Sequence, residues 1–272
     1  NSFRFQSQCM TEAVVDKNDF SITINGNKIL FDCVFIGMHG TPGEDGRLQG
    51  YFDVLGLPYT SCSAATSAIT FNKRYTVAVA AFAGIHVAKS VHLFKHQPID
   101  ATSIDLQLPV FVKPNNGGSS IGMSKVSKQE HLANAIEKAF NEDDQVLVEE
   151  MITGREFTIG VFKHKGEIIA MPMTEVKADA DMEFFDFVAK YQGKSTEITP
   201  AEASEEIFRK ISETAKKVYA VFNCSGVIRC IRRSLCRWIN PTLSDTIRVS
   251  ITYSGRERWE TSSSPVKISF HS

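Results

Sequence analysis

The chain has 272 residues, enough for a sizeable hydrophobic core divided among two or three small domains. Hydrophobic residues make up 43% and charged residues 22%, and the formal net charge is -1, which gives no electrostatic reason to expect a nucleic acid or membrane partner. No apolar run is long enough for a membrane span, no signal peptide is evident, and the six cysteines suggest neither a metal site nor a disulfide framework. These features predict a cytoplasmic protein.

The beginning of the chain predicts a hairpin followed by a buried strand. Alternating apolar residues over 20–31 flank Asn25-Gly26, and both of these residues tolerate the positive φ angles of a tight turn. The run CVFIGM (33–38) is continuously apolar, which predicts a fully buried strand of a parallel sheet. His39 follows this strand, at the end where open α/β sheets bind ligands, although an ordinary loop histidine fits the pattern equally well.

Strands and helices then alternate as far as residue 228, which predicts an α/β or α+β enzyme. Apolar runs predict strands over 110–112, 146–148, 157–162 and 168–173. Three helices are predicted. The first spans 65–83, the second begins at a Ser127/Glu130 capping box, and the third begins at Thr199-Pro200. The apolar faces of the last two helices are Leu132, Ala135, Ile136, Ala139 and Phe140, and Ile207, Ile211, Ala215, Val218 and Phe222. The polar stretch 181–198 predicts a long loop.

A Gly/Ser-rich loop, NNGGSSIG over 115–122, follows the strand that ends at Lys113. Its glycines let backbone N–H groups approach an anion closely, and the hydroxyls of Ser119 and Ser120 add donors. The loop is therefore a candidate phosphate cradle, with Lys113 as a candidate phosphate ligand. A plain turn beside a surface lysine is the alternative, since the Lys-Ser/Thr pair of a Walker loop is replaced by Met123-Ser124.

Two further positions offer groups that suit a nucleotide site. Glu149 and Glu150 end a strand, where a carboxylate can accept hydrogen bonds from a ribose or an adenine amino group, or can simply be an exposed charge. Lys190-Tyr191 lies in the long polar loop, at a place suited to a lid over an active site or to a solvated loop.

Four segments, in this order and at this spacing, resemble the D-alanine–D-alanine ligases. They are HGTPGEDGRLQGYFDVLGLPYT (39–60), FVKPNNGGSSIGMSKV (111–126), VLVEEMITGREFTIGV (146–161) and EFFDFVAKY (183–191), and the resemblance extends over about 18–229. It implies an ATP-grasp fold, in which two α+β lobes hold ATP and an N-terminal α/β domain binds substrate. It also implies a ligase that joins two D-alanines through a D-alanyl phosphate for peptidoglycan synthesis. The chemistry is then phosphoryl transfer, helped by Mg²⁺ (or Mn²⁺) and basic side chains.

The resemblance implies a set of ATP-binding residues. Matching positions place Lys73 and Lys113 on the phosphates, Glu149, Glu150 and Ile152 in the hinge that reads adenine, Glu156 on the ribose, and Lys190 in the lid.

The resemblance also implies a set of residues that act on the substrate. Ser119 and Tyr191 match a catalytic hydrogen-bond network, and Arg229 matches the arginine that stabilises the transferring phosphate and the tetrahedral intermediate. His39 and Glu44 match loop residues near the first D-alanine. The Lys190-Tyr191 pair favours a dipeptide-forming ligase over a depsipeptide-forming one.

The chain departs from the family pattern at the metal ligands and at the start. The family has an Arg-x-Asp pattern and a later Glu-x-Asn motif that hold two Mg²⁺ ions through hard oxygen ligands. Here Ile231 stands at the aspartate position and no Glu-x-Asn follows, so no metal ligand is assigned. Nothing before Asp19 resembles the family's first strand, its Gly-rich loop or its Ser-Glu pair, which predicts a truncated start.

The end of the chain loses the pattern abruptly. Arg229 and the residues after it hold eight Arg and Lys against three Asp and Glu, with no core periodicity. We hypothesise a frameshift after Arg229, in the gene or in the sequencing read. Sequencing the encoding DNA tests this: an intact Arg-x-Asp and Glu-x-Asn in another frame would support the hypothesis, and the absence of such a frame would reject it. The predicted division is an N-terminal remnant (1–64), two ATP-grasp lobes (65–156 and 157–229) and an aberrant basic tail (230–272).

Three functions remain open from the sequence. The first is a D-alanine–D-alanine ligase with impaired activity. The second is a catalytically dead remnant that still binds ATP, and the third is another ATP-grasp carboxylate–amine ligase, against which the His39 and Lys190-Tyr191 segments argue. D-alanine is the expected substrate. A homodimer is expected for the family, and the departures at both ends leave it open here.

Overall fold

The computed structural model describes residues 3–6, 12–117, 121–178, 195–234 and 267–270. The helices within these ranges are α1 (Arg47–Leu55), α2 (Ala64–Phe71), α3 (Lys73–Phe82), α4 (Leu132–Phe140) and α5 (Glu205–Val221). The strands up to the first lobe are β1 (Phe3–Gln6), β2 (Glu12–Val14), β3 (Ile22–Ile24), β4 (Asn27–Ile29), β5 (Ser90–Phe94), β6 (Val110–Pro114), β7 (Ser124–Val126) and β8 (Gln145–Glu150). Those that follow are β9 (Arg155–His164), β10 (Glu167–Ala170), β11 (Thr174–Ala178), β12 (Ser195–Ile198), β13 (Ile228–Ser234) and β14 (Lys267–Phe270). No helix in these ranges is long and apolar enough to cross a bilayer.

The first sheet is antiparallel, in the order β5-β8-β6-β7, and α4 packs on one face of it. The predicted strands at 110–112 and 146–148 and the predicted apolar face of α4 are confirmed, because all five predicted face residues are buried. The predicted capping box is wrong. A 3₁₀ turn over Gln129–His131 comes first, and α4 starts at Leu132 with no side-chain cap.

The second sheet is built around the long strand β9, which pairs with β10, β11 and β13 in antiparallel fashion. Helix α5 covers one face, and its predicted apolar residues belong to the same core cluster as Phe157, Ile159 and Val161. The prediction that Thr199-Pro200 begins this helix is wrong: Ser204 is the N-cap, and its hydroxyl accepts a hydrogen bond from Ile207 N–H. Part of the predicted loop 181–198 forms β12, and 179–194 lies outside the described residues.

A bidentate ion pair between Arg155 and Glu175 joins β9 to β11. Arg155 donates to both carboxylate oxygens of Glu175, at 2.6 and 2.8 Å, and also to Glu202 O at 2.6 Å. The Arg155 guanidinium, helped by Lys177, holds the pKa of Glu175 below its usual value. A bidentate guanidinium–carboxylate pair fixes geometry as well as charge, so it braces the register of the two strands.

Glu175→Gln is expected to lower the free energy of unfolding by about 1–2 kcal/mol at pH 7, since it weakens a pair whose Arg155 side chain is 31% exposed. A carboxyl whose folded pKa is depressed stabilises the fold above its unfolded pKa and loses that effect as pH falls through the folded pKa. The difference in free energy of unfolding between the parent and Glu175→Gln should therefore disappear below about pH 4. Urea unfolding at pH 7 and at pH 3 measures it. Glu213→Gln, in an exposed pair with Arg209, is the matched control and should change stability by less than about 0.5 kcal/mol. A difference in unfolding free energy that does not change with pH would contradict the stabilising role given to the ionised Glu175 carboxylate.

The N-terminal part contains the predicted hairpin but lacks the predicted buried strand. Strands β3 and β4 flank Asn25-Gly26, both at positive φ, so the hairpin is confirmed. Within the described ranges, 33–38 forms only an isolated parallel bridge from Val34 to Tyr59. Burial alternates along it, with Ile36 buried and Phe35 69% exposed. The prediction of full burial is wrong because the core that contains α1 covers one face of this run.

The predicted helix over 65–83 is two helices. Asn72 lies between them in an extended conformation (φ -91°, ψ 110°), and its side chain caps α3 by accepting a hydrogen bond from Tyr75 N–H. Asparagine competes with helix continuation by bonding to the backbone in this way. Both helices contribute to the core of the second sheet, although the predicted division groups them with the first lobe.

Strand β13 crosses the predicted start of the basic tail at residue 230. Cys230 is buried in the core of the second sheet, and the backbone stays paired with β9 as far as Ser234. Strand β14, from the tail, pairs with β1.

Candidate nucleotide-binding site

The first sheet presents a charged pair on the face opposite α4. Val110 and Val112 pack toward α4, so the alternating residues Phe111 and Lys113 lie on the other face. Lys113 is 1% exposed, and its ammonium pairs with the carboxylate of Glu149 on the neighbouring strand β8. It also lies 5.3 Å from the centre of the Phe111 ring. A lysine this buried requires a charged partner, which is not what an ordinary surface lysine shows.

Lys73 reaches the same region from the first turn of α3. Its ammonium donates to Asn115 O at 3.3 Å and to Gly117 O at 3.0 Å. These carbonyls belong to the segment 115–117, which follows Lys113-Pro114 and begins the Gly/Ser-rich loop. Lys73 is therefore held at the start of the loop that follows β6, the strand that carries Lys113, and both lysines supply positive charge of the kind that binds phosphate.

The predicted adenine hinge (149–152) is hydrogen-bonded to the segment that precedes β6. Glu150 Oε1 accepts a hydrogen bond from Gln107 N–H at 2.9 Å, and Met151 N–H donates to Pro109 O at 2.9 Å. Ile152 follows and is partly exposed. The hinge residues therefore come together at the end of β8, next to Glu149.

Glu156 and Arg229 lie on one face of the second sheet, opposite α5. Their neighbours Phe157 and Ile228 point into the core, so the alternation of the strands places both residues on the other face. Arg229 is opposite Gly160 in the register, four residues from Glu156 along β9, or roughly 13 Å. A ligand that contacted both would have to extend along the strand.

The predicted substrate loop is folded around a buried carboxylate. Glu44 is buried, accepts a hydrogen bond from Gly40 N–H at 2.6 Å, and lies 3.8 Å from His39 Nδ1. Gln49, fully buried on α1, donates to Gly43 O at 2.7 Å and to Ser61 Oγ at 2.9 Å and so holds the loop in place.

Three predicted site residues, Ser119, Lys190 and Tyr191, lie outside the described residues, and their roles stay predictions. Two residues with clear roles in the geometry, Asn115 and Gln49, were not singled out by the sequence reasoning. Gln49 was detectable, because it interrupts the apolar face that Leu48 and Phe52 form on α1. Asn115 carried no comparable signal, since an asparagine before Gly-rich sequence looks like an ordinary turn residue.

The residues near Arg229 do not fit Mg²⁺. Ile231 lies on the same face of β13 as Arg229, at the position where the family resemblance places an aspartate, and its side chain offers no oxygen ligand. Within the part of the chain that the structure describes, no group of three His, Cys, Asp or Glu side chains could hold a metal.

Comparison with known protein families matches two models along the chain. The model for the D-ala D-ala ligase N-terminus matches residues 4–62, and the model for the D-ala D-ala ligase C-terminus matches residues 71–231. The sequence analysis placed the start of the resemblance at about residue 18. The N-terminal model matches from residue 4, so that starting point was too late.

Curated relatives give the same result. A D-alanine–D-alanine ligase of Flavobacterium johnsoniae is 49% identical over 220 residues, which is 80% of this chain and 68% of that protein. One from Parabacteroides distasonis is 46% identical over 79% of this chain and 65% of its own length. The chain thus spans about two thirds of the length of these relatives.

Solved structures share the architecture. The VanG D-Ala:D-Ser ligase of Enterococcus faecalis superposes with a TM-score of 0.72 at 31% identity, covering 88% of this chain and 68% of that one. A D-alanine–D-alanine ligase of Bacillus anthracis in complex with ATP superposes with a TM-score of 0.65 at 26% identity, covering 76% and 65%. The chain belongs to the D-alanine–D-alanine ligase family, whose members use ATP and have the ATP-grasp fold.

Proposed function

We propose that this chain binds ATP between its two sheets and descends from an active D-alanine–D-alanine ligase, with turnover impaired. The observation that carries the proposal is that the Lys73 ammonium binds the carbonyls of Asn115 and Gly117 at the start of the Gly/Ser-rich loop. Lys113, two residues before that segment, is buried in an ion pair with Glu149. Two cations at the start of a Gly-rich loop suit a triphosphate, and a carboxylate at the end of the strand suits the adenine amino group.

The reaction of the intact ligase has two steps. The carboxylate of one D-alanine attacks the γ-phosphorus of ATP, which forms D-alanyl phosphate and releases ADP. The amine of a second D-alanine then attacks the acyl carbon, phosphate leaves, and D-alanyl-D-alanine forms for peptidoglycan synthesis. In this scheme Arg229 stabilises the transferring phosphate and the tetrahedral intermediate, Ser119 and Tyr191 form the hydrogen-bond network, and Lys190 closes over the phosphates. Glu156 binds the ribose and Ile152 contacts the adenine.

The buried loop at Glu44 suits the first D-alanine. An amino acid presents an ammonium group, and Glu44 supplies a carboxylate that is already oriented by Gly40 N–H and lies near His39. Charge pairing in a buried place is stronger than at the surface, so this loop is a reasonable anchor for an α-amino acid.

ATP binding tests the proposal without requiring turnover. Lys73→Met is expected to weaken ATP binding by at least about tenfold, because it removes a charge-assisted contact worth about 1.5–3 kcal/mol, while adenosine binding changes less than twofold. Isothermal titration calorimetry with ATP and Mg²⁺, and separately with adenosine, measures both. Lys128→Met is the matched control, since Lys128 is exposed and pairs only loosely with Glu130 at 3.9 Å. Failure of the parent chain to bind ATP would overturn the proposal.

The second candidate function is an ATP-binding remnant without any ligase activity. Ile231 at the metal-ligand position favours it. The two candidates predict the same ATP binding and differ only in residual dipeptide formation. A cytoplasmic location, a homodimer, a frameshifted end and the predicted domain division stay predictions.

A further inference from the structure

Asn115 connects the first sheet to the helix that carries Lys73. It follows β6 and is 1% exposed, and its N–H donates to Gln145 O at 2.9 Å, which extends the pairing of β6 with β8. Its position is therefore fixed by the sheet and not by the loop that follows.

Asn115 also satisfies the first two N–H groups of α3. Lys73 N–H donates to Asn115 O at 3.0 Å, and Arg74 N–H donates to Asn115 Oδ1 at 2.8 Å. The first N–H groups of a helix have no partner within it, and here the next one, from Tyr75, is capped by Asn72 Oδ1 at 3.0 Å. A residue that is 41 positions away from Arg74 in sequence thus supplies part of the helix cap.

The ammonium of Lys73 is held by the same segment. It donates to Asn115 O at 3.3 Å and to Gly117 O at 3.0 Å. The segment is itself anchored, because Asn116 N–H donates to Asp143 Oδ2 at 2.7 Å. The backbone and the side-chain end of Lys73 are therefore both bound to 115–117.

The oxygen of the Asn115 amide does the capping. Within the described part of the chain, Asn115 Nδ2 makes no hydrogen bond. A buried amide with an unsatisfied donor costs free energy, so the side chain is explained by what its oxygen does for α3.

We propose that Asn115 is a positioning residue for Lys73: by capping α3 from the end of β6, it sets the helix start so that the Lys73 ammonium stays at the base of the Gly/Ser-rich loop. That this ammonium meets an ATP phosphate rests on the proposed function. The effect of Asn115 on ATP should therefore pass through Lys73 and depend on the phosphates.

A double-mutant cycle tests the coupling. ATP affinity is measured by calorimetry for the parent, Asn115→Ala, Lys73→Met and the double variant. Asn115→Ala is expected to weaken ATP binding about tenfold in the parent, less than twofold in the Lys73→Met background, and less than twofold for adenosine. Equal losses in both backgrounds, or an equal loss for adenosine, would mean that Asn115 has only a general structural role and would overturn the proposal. If Asn115→Ala does not fold, Asn115→Ser, which keeps a polar group in place, goes through the same cycle with the same criterion.

Chemical labelling of lysines tests the positioning role of Asn115 without relying on ATP binding. The acetylation rate of Lys73 with an N-hydroxysuccinimide ester, read by mass spectrometry, is expected to rise at least threefold in the Asn115 variant because the ammonium is released from its two carbonyls. Lys128, which is exposed in the structure, serves as the internal reference and should not change. A changed Lys73 rate in a chain that does not bind ATP would support the positioning role and reject the proposed function. An unchanged rate would reject the positioning role whatever ATP does.

Discussion

Incubated with ATP, Mg²⁺ and D-alanine, the chain is expected to form D-alanyl-D-alanine at least about 1000-fold more slowly than the Flavobacterium johnsoniae relative. The reason is the metal site. Ile231 stands at the aspartate position and no Glu-x-Asn motif occurs between it and Ser272, so we expect the charge on the transferring phosphate to lack neutralisation by a Mg²⁺ ion held in place. Metal stabilisation of such a transition state is worth several kcal/mol, and about 4 kcal/mol corresponds to the expected factor.

The measurement is phosphate release together with chromatographic detection of the dipeptide. Circular dichroism and ATP binding on the same sample show that the chain is folded and occupied, so that a lack of product has a chemical cause. Ile231→Asp alone should raise the rate by less than about tenfold, because one carboxylate does not form a two-metal site. Turnover within tenfold of the relative would show that other residues supply the metal ligands, and it would reject both the impairment and the frameshift hypothesis.

Lys113→Met is expected to lower the free energy of unfolding by about 3 kcal/mol, which corresponds to a fall in melting temperature of roughly 6–12 °C. The Glu149 side chain is 12% exposed and pairs with the Lys113 ammonium. Removal of the lysine leaves a largely buried carboxylate without its partner, and the cost is that of an uncompensated charge in a low-dielectric place.

Urea and thermal unfolding followed by circular dichroism measure this loss. The double variant Lys113→Met/Glu149→Leu should recover at least half of it, since an apolar pair of similar volume needs no charge compensation. Lys128→Met, in an exposed pair with Glu130, is the control and should change stability by less than about 0.5 kcal/mol. A loss below 1 kcal/mol in Lys113→Met would mean that the Glu149 carboxylate is solvated and that the buried pair contributes little.

The sequence by itself determined the elements that depend on neighbouring residues along the chain. The hairpin at Asn25-Gly26 was predictable because positive φ at two adjacent positions is a local demand. The buried faces of α4 and α5 were predictable because helical periodicity selects which residues face a core, whatever that core is. The four matching segments identified the family for the same reason, since each is a short continuous motif.

Tertiary structure alone decided the features that depend on what lies across the chain. The run 33–38 has the composition of a buried strand, but its burial was set by the elements packed against it, which cover one face. The burial of Lys113 follows from Glu149 on the next strand, which no local pattern reports. The start of α3 depends partly on Asn115, whose side-chain oxygen reaches Arg74 N–H only in the folded chain. Local propensity acts over a few residues, whereas burial, charge pairing and the capping of α3 by Asn115 require contacts between residues that are far apart in sequence.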